Sequence, residues 1–177
     1  MMTIGHSTLP IESFLAALKA NGCRTLVDVR RYPGSRRYPQ FSQQALFASL
    51  KAEDIQPLWR EGLGGRRSAK KDSINTAWKN ESFRGYADYM QTPEFAAEID
   101  WLMALPHLDA VTILCAEAVP WRCHRSLIAD AVLTRGSTVE DIFVQPDGRS
   151  SRKPHVLTEL ARVEGTRLWY PGEPVLF

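Results

Sequence analysis

The feature that most constrains the fold of this chain is a regular alternation of short apolar runs with stretches of helical periodicity. Thr3 to Gly5 opens as a short strand, and Ile11, Phe14, Leu15 and Leu18, preceded by Thr8 and Pro10, read as a capped amphipathic helix ending at Asn21-Gly22. Thr25 to Val29 is a second strand interrupted by Asp28, and Pro33-Gly34 sets a turn within Tyr32 to Ser35. Ser42 caps a helix carrying Leu46, Phe47 and Leu50, and Gln56 to Trp59 reads as a third strand.

Residues 62–80 then break the rhythm. They are rich in Gly, Lys, Arg and Ser without an apolar period, which predicts a mobile basic loop of a length usually reserved for function. Phe83, Tyr86, Ala87 and Met90 resume helical spacing. Thr92-Pro93-Glu94 starts a further helix bearing Phe95, Ile99, Leu102 and Met103. Val111 to Leu114 is the clearest buried strand, Ser126 to Arg135 a helix stopped by Gly136, and Val139 to Val144 a last strand. Residues 145–154 read as flexible, and Val156 to Ala161 as a short terminal helix.

The order β-α-β-α-β-α-α-β-α-β implies a mostly parallel sheet, because parallel strands need long crossovers and helices supply them. The expected fold is therefore one Rossmann-like, doubly wound α/β domain over 1–177, with about five strands and helices on both faces. At 177 residues, 44% hydrophobic and 24% charged, the chain is large enough to bury a core and unlike a disordered one. Cys23, Cys115 and Cys123 suggest no disulfide framework. The start carries no basic-then-apolar leader and no apolar run is long enough for a bilayer, so a cytoplasmic protein with no membrane role is expected.

Net charge is only +2, but the arginines are bunched. Arg30, Arg31, Arg36 and Arg37 crowd one stretch, and Arg66, Arg67, Lys70 and Lys71 another, with no acid inside either run. Such runs serve either as solvated loop surface or as contacts to an anionic ligand.

Ligands of open parallel sheets bind at the carboxyl ends of strands. That rule selects His6 and Ser7 after the first strand, Asp28, Arg30 and Arg31 after the second, and Cys115, Glu117 and the run Trp121 to Arg125 after the fourth. Cys123-His124-Arg125 opens a helix, where free N–H groups favour an anion that Arg122 and Arg125 could clamp. The same arginines would serve equally in a buried ionic network with Glu117 and Asp130.

Three chemistries compete for these residues. Glu117 with Asp28, or with His6, supplies acid/base or oxocarbenium-stabilising groups for hydrolysis, including N-glycosidic hydrolysis. Cys123, beside His124 and two arginines, has surroundings that lower a thiol pKa. Cys115, Cys123 and His124, with Glu117 or His6, offer zinc ligands, but at a spacing that matches no common zinc motif, so no metal and no cofactor are expected. Near Arg84, the rings of Trp78, Phe83, Tyr86 and Tyr89 could stack on a base, although their spacing also suits a core.

Six short words carry a resemblance that periodicity does not supply: Thr3-Ile4-Gly5-His6-Ser7, Val27-Asp28-Val29-Arg30, Pro33-Gly34-Ser35-Arg36-Arg37, Leu63-Gly64-Gly65, Phe83-Arg84-Gly85-Tyr86-Ala87-Asp88-Tyr89-Met90, and Leu114-Cys115-Ala116-Glu117 followed by Cys123-His124-Arg125. In this order the chain resembles the bacterial and archaeal family catalogued as domain of unknown function 488. The resemblance implies a compact cytosolic α/β domain with its recurring polar words at strand ends, and carries no reaction with it. Val27 to Arg30 is also similar to the Asp-Val-Arg word of rhodanese sulfurtransferases, but Cys123 runs directly into a helix rather than into a rhodanese loop.

Two readings of function follow. In one, an enzyme binds a phosphate-bearing nucleotide or nucleic acid in a basic strand-end cleft and hydrolyses it with Glu117, Asp28 and His6. Ser7, Arg30, Arg36, Arg37, Arg84, Arg122, His124 and Arg125 hold the anion. In the other, the protein is a thiol-based module acting through Cys123, or a non-catalytic nucleic-acid binder. The sequence sets no oligomeric state.

Overall fold

The computed structural model describes residues 1–34 and 36–172. Ser35, the last residue of the turn expected at 32–35, lies outside them, as do residues 173–177. The elements run β1 (Met2–Gly5), α1 (Ile11–Ala20), β2 (Thr25–Asp28), α2 (Gln43–Ala52), β3 (Gln56–Trp59), α3 (Glu81–Tyr89), α4 (Pro93–Met103), β4 (Val111–Cys115), α5 (Arg125–Leu133), β5 (Glu140–Val144), β6 (Ser150–Pro154), β7 (Arg162–Glu164) and β8 (Arg167–Trp169). The alternation seen in the sequence is therefore the order of the chain as far as β5.

The main sheet has the order β3-β2-β4-β1-β5-β6. Its first five strands are parallel, and β6 closes the β5 edge antiparallel. Strand side chains alternate between faces, and each face has its own core. Met2 and Ile4 of β1, Leu26 of β2 and Leu114 of β4 pack with Phe14 and Leu18 of α1 and Leu46 and Leu50 of α2. Val27 of β2 and Val111, Ile113 and Cys115 of β4 pack with Tyr86 of α3, Phe95 and Ile99 of α4, and Leu127 and Ile128 of α5. The result is a Rossmann-like sheet covered on both sides.

Helix starts are set locally. Thr92 Oγ1 accepts from the Phe95 N–H ahead of Pro93, and Asn80 caps α3 by accepting from Ser82 and Phe83. Ser42 occupies the N-cap of α2 without a side-chain hydrogen bond.

The structure departs from the sequence reading at the carboxyl-terminal end. Within 145–154, expected to be flexible, Ser150–Pro154 forms β6 after a turn whose Gly148 has φ +84°. The helix expected over Val156 to Ala161 does not form. Asp130 draws in the Thr158 N–H at 3.1 Å, leaving a single turn closed by Ala161 N–H on Thr158. The last elements among the described residues are instead the strands of the β7–β8 hairpin.

The basic stretch 62–80 has no regular element beyond the short 3-10 turn Glu61–Leu63. It is fastened to α3. Asp88 accepts from Lys70 N–H, Ser73 Oγ and Asn75 Nδ2 at 2.5–2.8 Å, while Tyr86 and Tyr89 donate their hydroxyls to the carbonyls of Leu63 and Gly62. Among the described residues, no helix is long and apolar enough to cross a membrane.

Candidate functional site

The connection after β2 leaves toward β3 under the α1/α2 face, whereas the connection after β4 passes β1 toward β5 under the opposite face. Neighbouring strands whose connections diverge leave a crevice at their carboxyl ends. There the chain has a cleft of about 320 Å³. Arg30, Arg31 and Tyr32 line it from β2, Cys115, Ala116 and Glu117 from β4, and Arg122, Cys123 and His124 from the approach to α5. Gly65, Arg66, Ser82 and Phe83 close it from the basic stretch and α3.

Period-two alternation divides the expected residues between the two faces of the sheet. Asp28 shares its face with Leu26 and is fully buried. Its carboxylate is held by Arg30 through Nε–Oδ1 at 2.8 Å and Nη2–Oδ2 at 2.6 Å, with the Arg30 N–H adding a third contact at 3.0 Å. The structure does not bring Asp28 beside Glu117 in the cleft. Arg30 in turn reaches the Phe41 carbonyl and His6 Nε2.

His6 follows Ile4 on that same face and stacks on Phe41, with ring centroids 4.2 Å apart. With Nε2 accepting from Arg30, Nδ1 is the nitrogen that donates to the Ser7 carbonyl. Burial and then the Arg30 charge press its pKa down to about 4, so the ring is neutral at pH 7. Ser7, at φ +46°, gives its N–H to the Ala116 carbonyl.

Arg125 is fully buried. Its guanidinium donates to the carbonyls of Glu117 and Ala118 at 2.5 and 3.0 Å and to Thr3 Oγ1 at 3.3 Å. This arginine, assigned from sequence to an anion, is committed to shaping the 116–118 turn. The turn folds so closely over Gly5 that a Cβ there would run into the Glu117 carbonyl. At the α5 start, the Cys123 and His124 carbonyls take the Ser126 and Leu127 N–H groups.

Glu117 is exposed and, among the described residues, its carboxylate has no ion pair. Arg122 is exposed beside it on the cleft wall. Arg36, Arg37 and Arg84 do not line the cleft, and Arg37 instead covers the Tyr38 ring. Trp78, Tyr86 and Tyr89 pack within or against the α3–α5 core, as their spacing allowed, while Phe83 also reaches the cleft.

Cys115, Cys123 and His124 meet at the cleft floor. One ligand atom from each lies within 4.8 Å of the others, and His124 Nδ1 stands 3.7 Å from both sulfurs. The acidity differs from the sequence reading, which placed the lowered pKa on Cys123. A hydrogen bond from Cys123 lowers the Cys115 pKa against the cost of burial, assisted by the Arg125 charge and the N–H groups of Ala116 and Glu117. Burial, and the neighbouring Cys115, push Cys123 up. The thiol made more acidic is the one that ends the strand, and the one before the helix is its donor.

A second buried network runs behind the site. Thr3 Oγ1 donates to Asp141 at 2.6 Å, His155 bridges Asp141 and Asp130 at 2.8 and 3.1 Å, and Tyr170 donates to Asp130 at 2.8 Å. Arg125 therefore communicates with Asp130 through Thr3, Asp141 and His155 rather than by a direct ion pair. Sequence reasoning missed Asp141 and His155 as buried polar groups. The strand-end rule picked out Arg31, but Arg66 was named only as a member of a basic run, since nothing local shows that its loop folds back to the cleft.

These features define an α/β domain with a strand-end cleft whose floor carries two sulfurs, an imidazole and a free carboxylate under an arginine rim. The chain belongs to the family described as Domain of unknown function DUF488, which it matches over residues 10–132. The match runs from the start of α1 into α5 and contains Asp28, Cys115, Glu117, Cys123 and His124, leaving Gly5 and His6 outside. No curated protein and no solved structure matches the chain.

Proposed function

We propose that the protein is an enzyme that takes a phosphate-bearing nucleotide, free or within a nucleic-acid strand, into the cleft between β2 and β4 and hydrolyses it with Glu117 as base. The observation that carries this reading is the company Glu117 keeps. Arg31, Arg66, Arg122 and the exposed ring of Tyr32 border the same cleft as its unpaired carboxylate. Arg31 and Arg66 each stand 5.7 Å from the Tyr32 ring centroid, and Arg31 is braced by the Arg66 carbonyl at 2.8 Å. Guanidinium groups around an exposed aromatic face suit a phosphate next to a stacked base.

Glu117 acts alone as a carboxylate in this scheme. Asp28 is neutralised by Arg30, and His6 is a neutral ring turned to the other face, so N-glycosidic hydrolysis would run without a second acid from either. The arginine rim neutralises the phosphate and positions the substrate, the Glu117 carboxylate takes the proton of the water that adds at the anomeric carbon, and the N-glycosidic C–N bond breaks as the departing base takes a proton from bulk water.

A thiol reaction is the second reading, favoured by the hydrogen bond that stabilises a Cys115 thiolate at the cleft floor. One experiment separates the two. Nucleotides and a single-stranded oligonucleotide are assayed for binding across a salt series and for turnover. Glu117→Gln should keep binding and lower kcat at least about 100-fold, with affinity falling steeply as salt rises. Flat salt dependence, or loss of turnover in Cys115→Ser with full turnover in Glu117→Gln, would refute the hydrolytic reading.

A further inference from the structure

We infer that Cys115, Cys123 and His124 form a three-ligand site for one divalent cation of the zinc class, with its fourth coordination position open to the cleft. The spacing of these residues in sequence matches no common zinc pattern, and the fold is what assembles them. Cys115 arrives at the end of β4, while Cys123 and His124 arrive after a seven-residue detour through the 116–122 turn.

The tautomer of His124 is the first support. Its Nε2 lies 3.1 Å from the Val29 carbonyl, a group that only accepts, so Nε2 carries the proton and Nδ1 presents its lone pair to the sulfurs. A ring nitrogen oriented by a backbone carbonyl on the opposite side is the usual support of a metal-bound histidine. The distances are the second. Nδ1 is 3.7 Å from each sulfur, long for a hydrogen bond, and one lone pair cannot serve two thiols equally. Tetrahedral zinc, with bonds of about 2.3 Å to sulfur and about 2.0 Å to nitrogen, sets S···N edges of about 3.5 Å.

The surroundings supply the third support. Beside His124 Nδ1, the space is kept by Gly65, where a Cβ would stand only 2.8 Å away. Among the described residues no fourth ligand joins the cluster. His6 has both nitrogens engaged. Three protein ligands and one open position facing an arginine-rimmed cleft are the pattern of a reactive site rather than a structural one. The open position would take a water or an anionic oxygen.

The test uses the full chain, purified under reducing conditions, with zinc measured by mass spectrometry and cobalt(II) titrated into the metal-free protein. About one equivalent of metal per chain, with a sulfur-to-cobalt charge-transfer band and tetrahedral d–d bands, is the expected result. Cys115→Ser, Cys123→Ser and His124→Ala should each weaken metal affinity at least about 10-fold, while Cys23→Ser, a buried cysteine elsewhere, should not. To keep the test independent of any unfolding by substitution, the unmutated protein is also alkylated with and without zinc, and zinc should protect two thiols. Absence of the cobalt spectrum and of protection, or a Cys115–Cys123 disulfide as the resting state, overturns the assignment. Oligonucleotide binding, measured on the metal-free protein, reports separately on the proposed nucleotide cleft.

Discussion

Asp28 and Arg30, two residues apart at the end of β2, grip each other through a two-pronged ion pair that is almost entirely shielded from water, with side-chain exposures of 0% and 7%. Such a pair is expensive to break by halves, because a lone buried charge is left behind. Arg30→Met should destabilise the fold by about 3–5 kcal/mol. Adding Asp28→Asn to it should restore part of that loss. A urea-unfolding double-mutant cycle checks this, and strictly additive effects would show that the two charges do not depend on each other.

His155 makes stability fall in alkaline solution. Burial works to discharge it, but hydrogen bonds and charges from Asp130 and Asp141 outweigh burial and raise its pKa from 6.5 to about 9. A raised native pKa contributes in full below about 6.5 and is lost as pH climbs through about 9, a contribution on the order of 3 kcal/mol. Unfolding free energy should therefore decline between pH 7 and 10, and His155→Gln should flatten that decline. An unchanged slope in the variant would contradict the assignment.

The two glycines at the site should tolerate no side chain. Gly5→Ala places a methyl group on the Glu117 carbonyl, and Gly65→Ala places one against the His124 ring. Each should lose about 1–3 kcal/mol by overpacking and should shift the indole and tyrosine near-ultraviolet signals or the His124 resonances. Wild-type stability in both would mean that the turn and the ring move aside freely.

Glu117 and Arg125, the one in the 116–118 turn and the other holding that turn from α5, should separate catalysis from folding. Glu117→Gln, at an exposed position, should change stability by less than about 0.5 kcal/mol. Arg125→Met should cost several times that, on the order of 3 kcal/mol, because it strips donors from buried carbonyls. Thermal melts of the two variants side by side give the comparison, and equal melting points would argue against the role of Arg125 in holding the turn.

The sequence announces most of the sheet, because β1, β2, β4 and β5 carry apolar runs and α1, α3 and α4 carry helical stripes. It hides β6, whose Ser150-Ser151-Arg152-Lys153-Pro154 has the polar, charged composition of a strand edge. It misleads at Val156 to Ala161, where Asp130 claims a backbone N–H from a distant helix. At the site, the strand-end rule selected Glu117, Cys115, Cys123, His124, Arg30 and Arg122, all of which line the cleft. Pairing Asp28 with Glu117 required knowing which face each side chain takes. The count of two from Leu26 to Asp28 and from Ile4 to His6 already held that information. No local pattern could show that Arg125 spends its donors on carbonyls of its own chain.

Asp130 has a wider consequence for the architecture. It belongs to α5, inside the family match, yet His155, Thr158 and Tyr170, which satisfy it, all lie beyond residue 132. Tyr170 also takes up Asn75 through its N–H, so the same tail stitches down the basic stretch over the cleft. In this chain the segment that carries the family signature thus depends, for its buried Asp130, on partners outside that segment. Cut after Val132, it would lose the β5 neighbour of β1, leave a naked carboxylate in an apolar interior, and free the basic stretch from its Tyr170 anchor.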